Sequence, residues 1–359
     1  MIFFNLPVFF VCLSFFADFF KSSKLVISLL IFLATTLVAG TRYYADVDYG
    51  PYVDLFNETP SISDLSLTDV FVLYGEPGYL LFTSLIKATG FEFVAVTVLF
   101  SIFSVGIKVY VCSRLVSNYV FAFSLFLCLH FITVEFIELR WALSSAFVML
   151  AVYFELKNKR NHFYFFIIFA SFFQYFSLIF LIVVFFRFFS FRAGVLFFLV
   201  SIVIALSYKV LSPSISYSVD SDIYIVKRLF RYLNDPDSSI GLFSYLRVLM
   251  YFTIVVLILC FKESFSEFDV VLAMYSSLLV SISLIISFVP LLYYRSMVVS
   301  DFFMLVTMTL FFYRFGVFIR LFCMLFVVFL FSTWNILDMK NYEAEGYIFE
   351  YSSWLGYLI

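Results

Sequence analysis

From Phe163 to Phe186 the chain carries no charge and one side-chain amide, Gln174, in a run otherwise built from aromatic, branched apolar, small and hydroxyl residues. Ala193–Leu206 is a second run of the same kind. Such segments need an apolar surround along their whole length. A soluble core offers that to few helices, and a bilayer offers it to many. Composition decides between the two: 64% of the 359 residues are hydrophobic, 13% are charged and 56 are phenylalanine. That much apolar surface exceeds what a chain can bury against itself, and at ~20 residues per crossing it suffices for about ten to twelve transmembrane helices. The sequence therefore specifies an all-α, polytopic integral membrane protein, read as one membrane domain over residues 1–359. An outer-membrane barrel is excluded, because barrel strands alternate lipid-facing and lumen-facing residues and these runs do not alternate. A net charge of −2 leaves no basic bulk to attract nucleic acid.

The expected spans are 2–20, 25–40, 91–111, 119–135, 140–156, 193–209, 243–261, 270–290, 297–313 and 317–335. The first lacks a basic leader and a small-residue cleavage site and reads as a retained span. Lysine and arginine in short loops stay in the cytoplasm. Lys21, Lys24, Lys157, Lys159, Arg160 and Lys262 all fall between spans, which leaves loops 41–76 and 210–242 and the tail 336–359 outside. Within 210–242, Ser221–Leu233 has the apolar spacing of an amphipathic helix lying on the outer surface. Parity then restricts 163–186. A single crossing there would put Arg187 and Arg192 outside and 210–242 on the wrong face. The segment is expected to enter and leave on one side as a re-entrant pair of half-helices turning near Gln174, a break tolerated where protein or a wet cavity surrounds it. The five cysteines lie far apart in apolar runs and read as core residues, not as disulfides or metal ligands.

The sparse charge carries the functional signal. In Gly40–Phe56, where a span meets the first external loop, Arg42, Asp46 and Asp48 stand among Tyr43, Tyr44 and Tyr49. An interfacial aromatic belt has this composition. So does a carbohydrate site, in which tyrosine faces stack on sugar rings and a carboxylate takes a hydroxyl proton. Asp46-Val-Asp48 also matches a pattern that can hold a divalent cation. Glu76, before Pro77 and Gly78, marks a turn at the membrane surface. Glu135, Glu138 and Arg140 interrupt an apolar stretch, where ionisable groups are costly and by default functional. Glu135 and Glu138, three apart, are expected on one helix face. Arg140 and Arg295, the latter beside Tyr294 after Pro290, are two external arginines suited to a doubly anionic group such as a pyrophosphate. An internal Glu–Arg pair that locks two helices is the plainer reading of Arg140. His130 reads as a packed residue and His162 as part of the basic loop, while Asp18 and Asp301 have no evident partner. Motifs of metalloproteases, α/β-hydrolases and Walker-type ATPases do not occur.

Five blocks, in order, give the chain a resemblance to the EpsG-like, Wzy-type polysaccharide polymerases of bacterial inner membranes: G-T-R-Y-Y-A-D-V-D-Y (40–49), E-P-G-Y-L-L (76–81), E-L-R-W-A-L-S-S-A (138–146), A-S-F-F-Q-Y-F-S-L-I (170–179) and Y-Y-R-S (293–296). The fourth block departs from the family's usual Phe-His-x-Ser by carrying Gln174 where histidine is usual. The resemblance implies a glycosyltransferase-C-like fold and a lipid-linked donor. It implies transfer of a growing chain from undecaprenyl pyrophosphate to the next repeat unit on the periplasmic face, making O-antigen or a related polysaccharide. The implied partners are undecaprenyl-pyrophosphate-linked glycans, the lipid bilayer, a chain-length regulator and a flippase. No cofactor, metal or nucleic acid is implied. Arg140 and Arg295, with Arg42, would hold the pyrophosphate, and Asp46 or Asp48 would act as base. Glu76, Glu138, Gln174, Tyr294 and the loop tyrosines would contact substrate. A flippase for the same lipid-linked unit is the alternative, and a membrane acyltransferase a third; the alternative is disfavoured because the ionisable residues collect near one face and not at the midplane.

Overall fold

The computed structural model describes residues 2–19, 23–66, 76–211, 242–315, 321–322, 325–331, 333 and 352–354. The expected loop 210–242 with its amphipathic helix, and most of the tail 336–359, lie outside the described residues. Among the described residues every regular element is helical, and the single β-type feature is an isolated antiparallel bridge between Arg42 and Ser353. The chain packs as two compact units, Met1–Leu181 with Gly316–Ile359, and Ile182–Phe315.

The first unit holds α1 (Ile2–Phe19), α2 (Lys24–Gly40), α3 (Tyr49–Glu58), α4 (Pro77–Ala88), α5 (Phe93–Leu115), α6 (Tyr119–His130), α7 (Leu139–Leu156) and α8 (Arg160–Ser171). Phe131–Ile137 prolongs α6 in wider π-helical turns. A 3-10 helix, Tyr175–Phe188, follows α8 and runs into the second unit. There α9 (Phe191–Leu211), α10 (Leu242–Cys260), α11 (Glu267–Ile285) and α12 (Pro290–Phe312) form a bundle in which α11 packs against each of the other three. Among the described residues, six helical stretches are long and apolar enough to cross a membrane: Phe93–Leu115, Tyr119–Ile137, Leu139–Leu156, Phe243–Cys260, Glu267–Phe288 and Pro290–Phe312. Four shorter apolar helices accompany them. On α2, Leu25, Val26, Leu29, Leu30, Leu33 and Leu37 are all exposed, and α9 shows a similar face at Leu196, Leu199, Val200, Val203 and Ile204. Apolar faces this continuous belong against lipid. The chain is an all-α multi-pass membrane protein.

Local chemistry places the ends of these helices. Ser266 and Asp269 exchange hydrogen bonds as a capping box that starts α11, and Pro77 and Pro290 occupy first turns, where a missing N–H costs nothing. α4 is ~18 Å long, well short of the ~30 Å hydrocarbon layer. Position 40, the last of α2, takes glycine because a Cβ there would come within 2.9 Å of the Val98 backbone on α5. The Gly40 carbonyl instead accepts a 2.6 Å hydrogen bond from Thr97.

The apolar run 163–186 is broken where the amide sits: α8 ends at Ser171, and the 3-10 helix begins at Tyr175, after Gln174. Ser144 of α7 donates to Ala170 before the break (2.9 Å) and shares a hydrogen bond with Ser177 after it (2.5 Å), so both sides of the break lie against α7. The expected interruption at Gln174 is present.

Charge divides the first unit lengthwise. Lys24 bonds Ser117 and Asn118 at the far end of α5, and Tyr110 meets Tyr153 near the end of α7, so Lys24, Arg114, Lys157, Lys159 and Arg160 share one end. The acidic segment beginning at Asp46 lies at the other, where Thr97 meets Gly40.

Candidate functional site

At the acidic end the sequence blocks converge. Arg42, just after α2, is fully buried: its Nε donates to Asp46 Oδ2 at 2.7 Å, its Nη1 to the Ala39 carbonyl at 2.8 Å, and its guanidinium lies over the Phe136 ring. Asp46 Oδ1 accepts the Asp48 backbone N–H at 3.0 Å. Both oxygens of Asp46 are therefore engaged, and its side chain is shut from solvent. This clamp shapes the turn that delivers Asp48 to the head of α3. Asp46 is thereby committed to the Arg42 clamp, each of its oxygens accepting one hydrogen bond. Arg42 keeps one group in reserve, since its Nη2 is buried without a hydrogen-bond partner among the described residues.

Arg140 stands at the head of α7 and reaches Glu76, before the first turn of α4, with Nη1 to Oε2 at 2.5 Å. The pair is partly open, the side chains being 18% and 11% exposed. Its Nε donates to the Tyr52 hydroxyl at 3.4 Å, and the guanidinium lies over the rings of Tyr52 and Tyr79. Asp48 and Glu138 lie within electrostatic reach of Tyr52. Burial pushes the Tyr49 phenol up to about 12 and raises Tyr52 and Tyr79 as well, against the pull of nearby arginines. These phenols stay protonated, and the Tyr52 hydroxyl accepts from Arg140. The Tyr79 hydroxyl, like Arg42 Nη2, is buried with no partner among the described residues. Burial also raises the Asp46 carboxyl, outweighing the Arg42 guanidinium.

The fourth block closes the arrangement. The Gly78 N–H donates to the Phe172 carbonyl at 2.8 Å, and a Cβ on Gly78 would come within 2.8 Å of the same oxygen. The turn at Phe172–Gln174 is thereby pressed against the start of α4. Half-buried Gln174 stands next to Tyr175, which is electrostatically coupled to Glu76. The four residues of Glu-Pro-Gly-Tyr thus supply, in turn, an ion pair, a helix start, a close backbone approach and a buried phenol. Tyr43, Tyr44 and Tyr49 contact one another edge to face or tilted, and Tyr49 packs on Phe93.

Several expectations change. Glu135 and Glu138 do not share a face, because the π-helical turns shift the register. Glu135 is fully buried and pairs with Lys108, which also donates to Ser104 and the Ala142 carbonyl. Glu138 is half-buried at the break before α7. Glu76, expected at a sugar, also pairs with Arg140. Asp301 does have partners: in the second unit it accepts from Arg247 and from the Tyr251 hydroxyl, both at 2.9 Å. Charged groups thus occur within helices as well as at one end. Arg295 and Tyr294, expected before a helix, lie inside α12, with Arg295 half-buried and Tyr294 exposed. Lys108 and Arg247 were legible as ionisable residues in apolar runs, and Tyr52 and Tyr79 as aromatics one turn from the carboxylates.

The fold and this centre define a multi-pass membrane protein with a recessed arginine–carboxylate site walled by phenols. The model of the EpsG family matches residues 25–353, nearly the whole chain. The chain belongs to the EpsG family, whose members are Wzy-like polymerases, which gives it a polysaccharide polymerase-type role. No curated protein and no solved structure matches it.

Proposed function

We propose that the protein joins undecaprenyl-pyrophosphate-linked repeat units into O-antigen or a related surface polysaccharide at the periplasmic face of the inner membrane. The observation that carries this reading is the convergence of four separated blocks on the Arg140–Glu76 pair, with Asp48 beside it and two buried donors, Arg42 Nη2 and Tyr79 Oη, left unsatisfied among the described residues. An anion with several acceptor oxygens suits such a set. In the proposed reaction the acceptor sugar hydroxyl attacks the anomeric carbon of the donor chain. A new C–O bond forms, the bond from that carbon to the pyrophosphate oxygen breaks, and undecaprenyl pyrophosphate leaves with its charge stabilised by Arg140. The hydroxyl proton passes to Asp48, because glutamine at position 174 cannot shuttle one and both histidines lie elsewhere. His130 packs on Phe126, and His162 packs on Phe154 at the basic end. Glu138 and Gln174 orient the sugars, and Arg295 with Tyr294, of the second unit, is a separate candidate for anion binding.

Deletion of the gene tests the reading on a polysaccharide gel. The ladder should collapse to core plus one repeat unit, and a normal ladder in a strain with no other polymerase overturns it. Loss of all attached sugar would instead identify a flippase. Arg140→Ala and Arg295→Ala should each abolish chain growth while the protein inserts normally.

A further inference from the structure

α3 divides the acidic end of the first unit. Tyr52 turns toward Arg140, while Tyr49, Val53, Phe56 and Asn57 line an open cleft of about 480 Å3. At ~100° per residue these are neighbouring stripes of one helix, so the cleft and the ion-pair centre share a wall. The cleft surface is aromatic and largely open: Tyr44 is 56% exposed and Phe91 64%. Tyr44 holds φ at 45°, in the left-handed region that a side chain with a Cβ occupies at a cost. The polar groups beside these rings are the amide of Asn57 and the carboxylate of Glu92.

The charge of the cleft narrows the ligand. Among the described residues Lys87 is its one cation, and its ammonium is spent on the carbonyls of Phe56, Asn57 and Thr59 at 3.1, 2.9 and 2.8 Å, closing the C-terminal end of α3. An anionic head group would meet Glu92 with no cation of the cleft wall to answer it. Aromatic faces beside an amide and a carboxylate acceptor suit a ring with one apolar face and a rim of hydroxyl donors, as in a pyranose.

Trp354 joins this surface from the far end of the sequence. Its backbone N–H donates to the Thr41 carbonyl at 2.8 Å, the Tyr43 backbone N–H donates to the Ser352 carbonyl at 3.0 Å, and Thr41 and Ser353 share a hydroxyl hydrogen bond at 3.0 Å. Residues 352–354 are thus tied to the strip that ends in Tyr43 and Tyr44, and the indole becomes part of the cleft. We propose that the cleft is a carbohydrate subsite that grips the sugars of the growing chain next to its pyrophosphate, and that Tyr44 and Trp354 set how long the chain is retained between additions. This rests on the polymerase reading above and assigns that enzyme a grip on its product, separate from the chemistry.

The test places Tyr44→Ala, Trp354→Ala and Trp354→Phe in the full-length protein in a deletion strain, at matched membrane abundance. Tyr44→Ala and Trp354→Ala should still polymerise but shift the most abundant chain length down at least twofold, and Trp354→Phe should restore it. An unchanged length distribution in both alanine variants overturns the proposal and leaves the polymerase reading standing. Loss of all polymer in both overturns it too, since the cleft would then be indispensable to chemistry. If Trp354→Ala fails to accumulate, Tyr44→Ala decides, because that side chain is exposed. A second measurement uses purified protein in nanodiscs and oligosaccharide released from the strain's own polysaccharide. Tryptophan emission should be quenched on titration, with about tenfold weaker binding in Tyr44→Ala. Equal binding by wild type and Tyr44→Ala, or no quenching, counts against the subsite. A deletion strain with normal polysaccharide would instead sink the polymerase reading itself.

Discussion

Arg42 and Asp46 occupy the most conspicuous motif of the chain and spend most of their charge on each other. Removing one partner of an enclosed pair strands the other, at a cost of about 3–5 kcal/mol, whereas replacing both by apolar residues of similar size costs far less. Asp46→Asn should therefore lower the melting temperature of the purified protein sharply, and Arg42→Met with Asp46→Leu should recover much of it. If Asp46→Asn melts like wild type, the clamp is not formed. Asp48 carries the opposite expectation. It is half-buried and within electrostatic reach of Tyr52, so Asp48→Asn should leave the melt unchanged and, on the proposed reading, slow chain growth by about 10²–10⁴, the usual weight of a general base. The residue types of the site were legible because charge is scarce in this composition. Their division of labour was not, because Asp46 and Asp48 are two residues apart and only the backbone turn between them decides which faces the arginine and which the centre.

At the scale of elements, the informative features are breaks. Most expected spans meet a helix to within a few residues, but α3 and α4 were not among them and α12 begins at Pro290, well before the expected 297; the interruption at Gln174 followed from parity and one amide. The π-helical turns at Phe131–Ile137 could not be read, because wider turns answer to a partner 27 residues away: Glu135 faces Lys108 across to α5. The same non-local pairing hid the contact of Arg247 with Asp301. Gly78 is where two breaks meet, and a methyl group there would have to displace the Phe172 carbonyl, which is backbone and cannot swing aside. Gly78→Ala should cost about 1–3 kcal/mol and also reduce polymerisation, because the turn carrying Gln174 would move away from Glu76. A variant with wild-type stability and activity would show that the turn and α4 do not pack as described. Gly50, in contrast, has open space where its Cβ would go, so Gly50→Ala is the matched control.

For the molecule as a whole, the first unit is polarised: its lysines and arginines at Lys24, Arg114 and 157–160 share one end, and Asp54, Glu58, Asp64 and Glu76 lie toward the other. Positive charge in short loops is retained on the cytoplasmic side during insertion, while acidic residues contribute little to orientation. On the proposed reading the basic end faces the cytoplasm, and the Arg140 centre and the aromatic cleft face the periplasm, where a lipid-linked glycan would be met. Single cysteines test this in a background without the native ones. Asn161→Cys, exposed at the start of α8, should react with a membrane-impermeant maleimide only after the cell is opened. Ser63→Cys, exposed after α3, should react in intact spheroplasts. Gln174→Cys discriminates further, since its turn is held against Gly78 at the acidic end: it should be shielded from the cytoplasmic side and protected further when a lipid-linked glycan occupies the centre. Labelling of position 174 from the cytoplasm alone would invert the assignment and place the arginine centre on the face where the proposed donor is absent, so the orientation and the proposed reaction stand or fall on that one reagent.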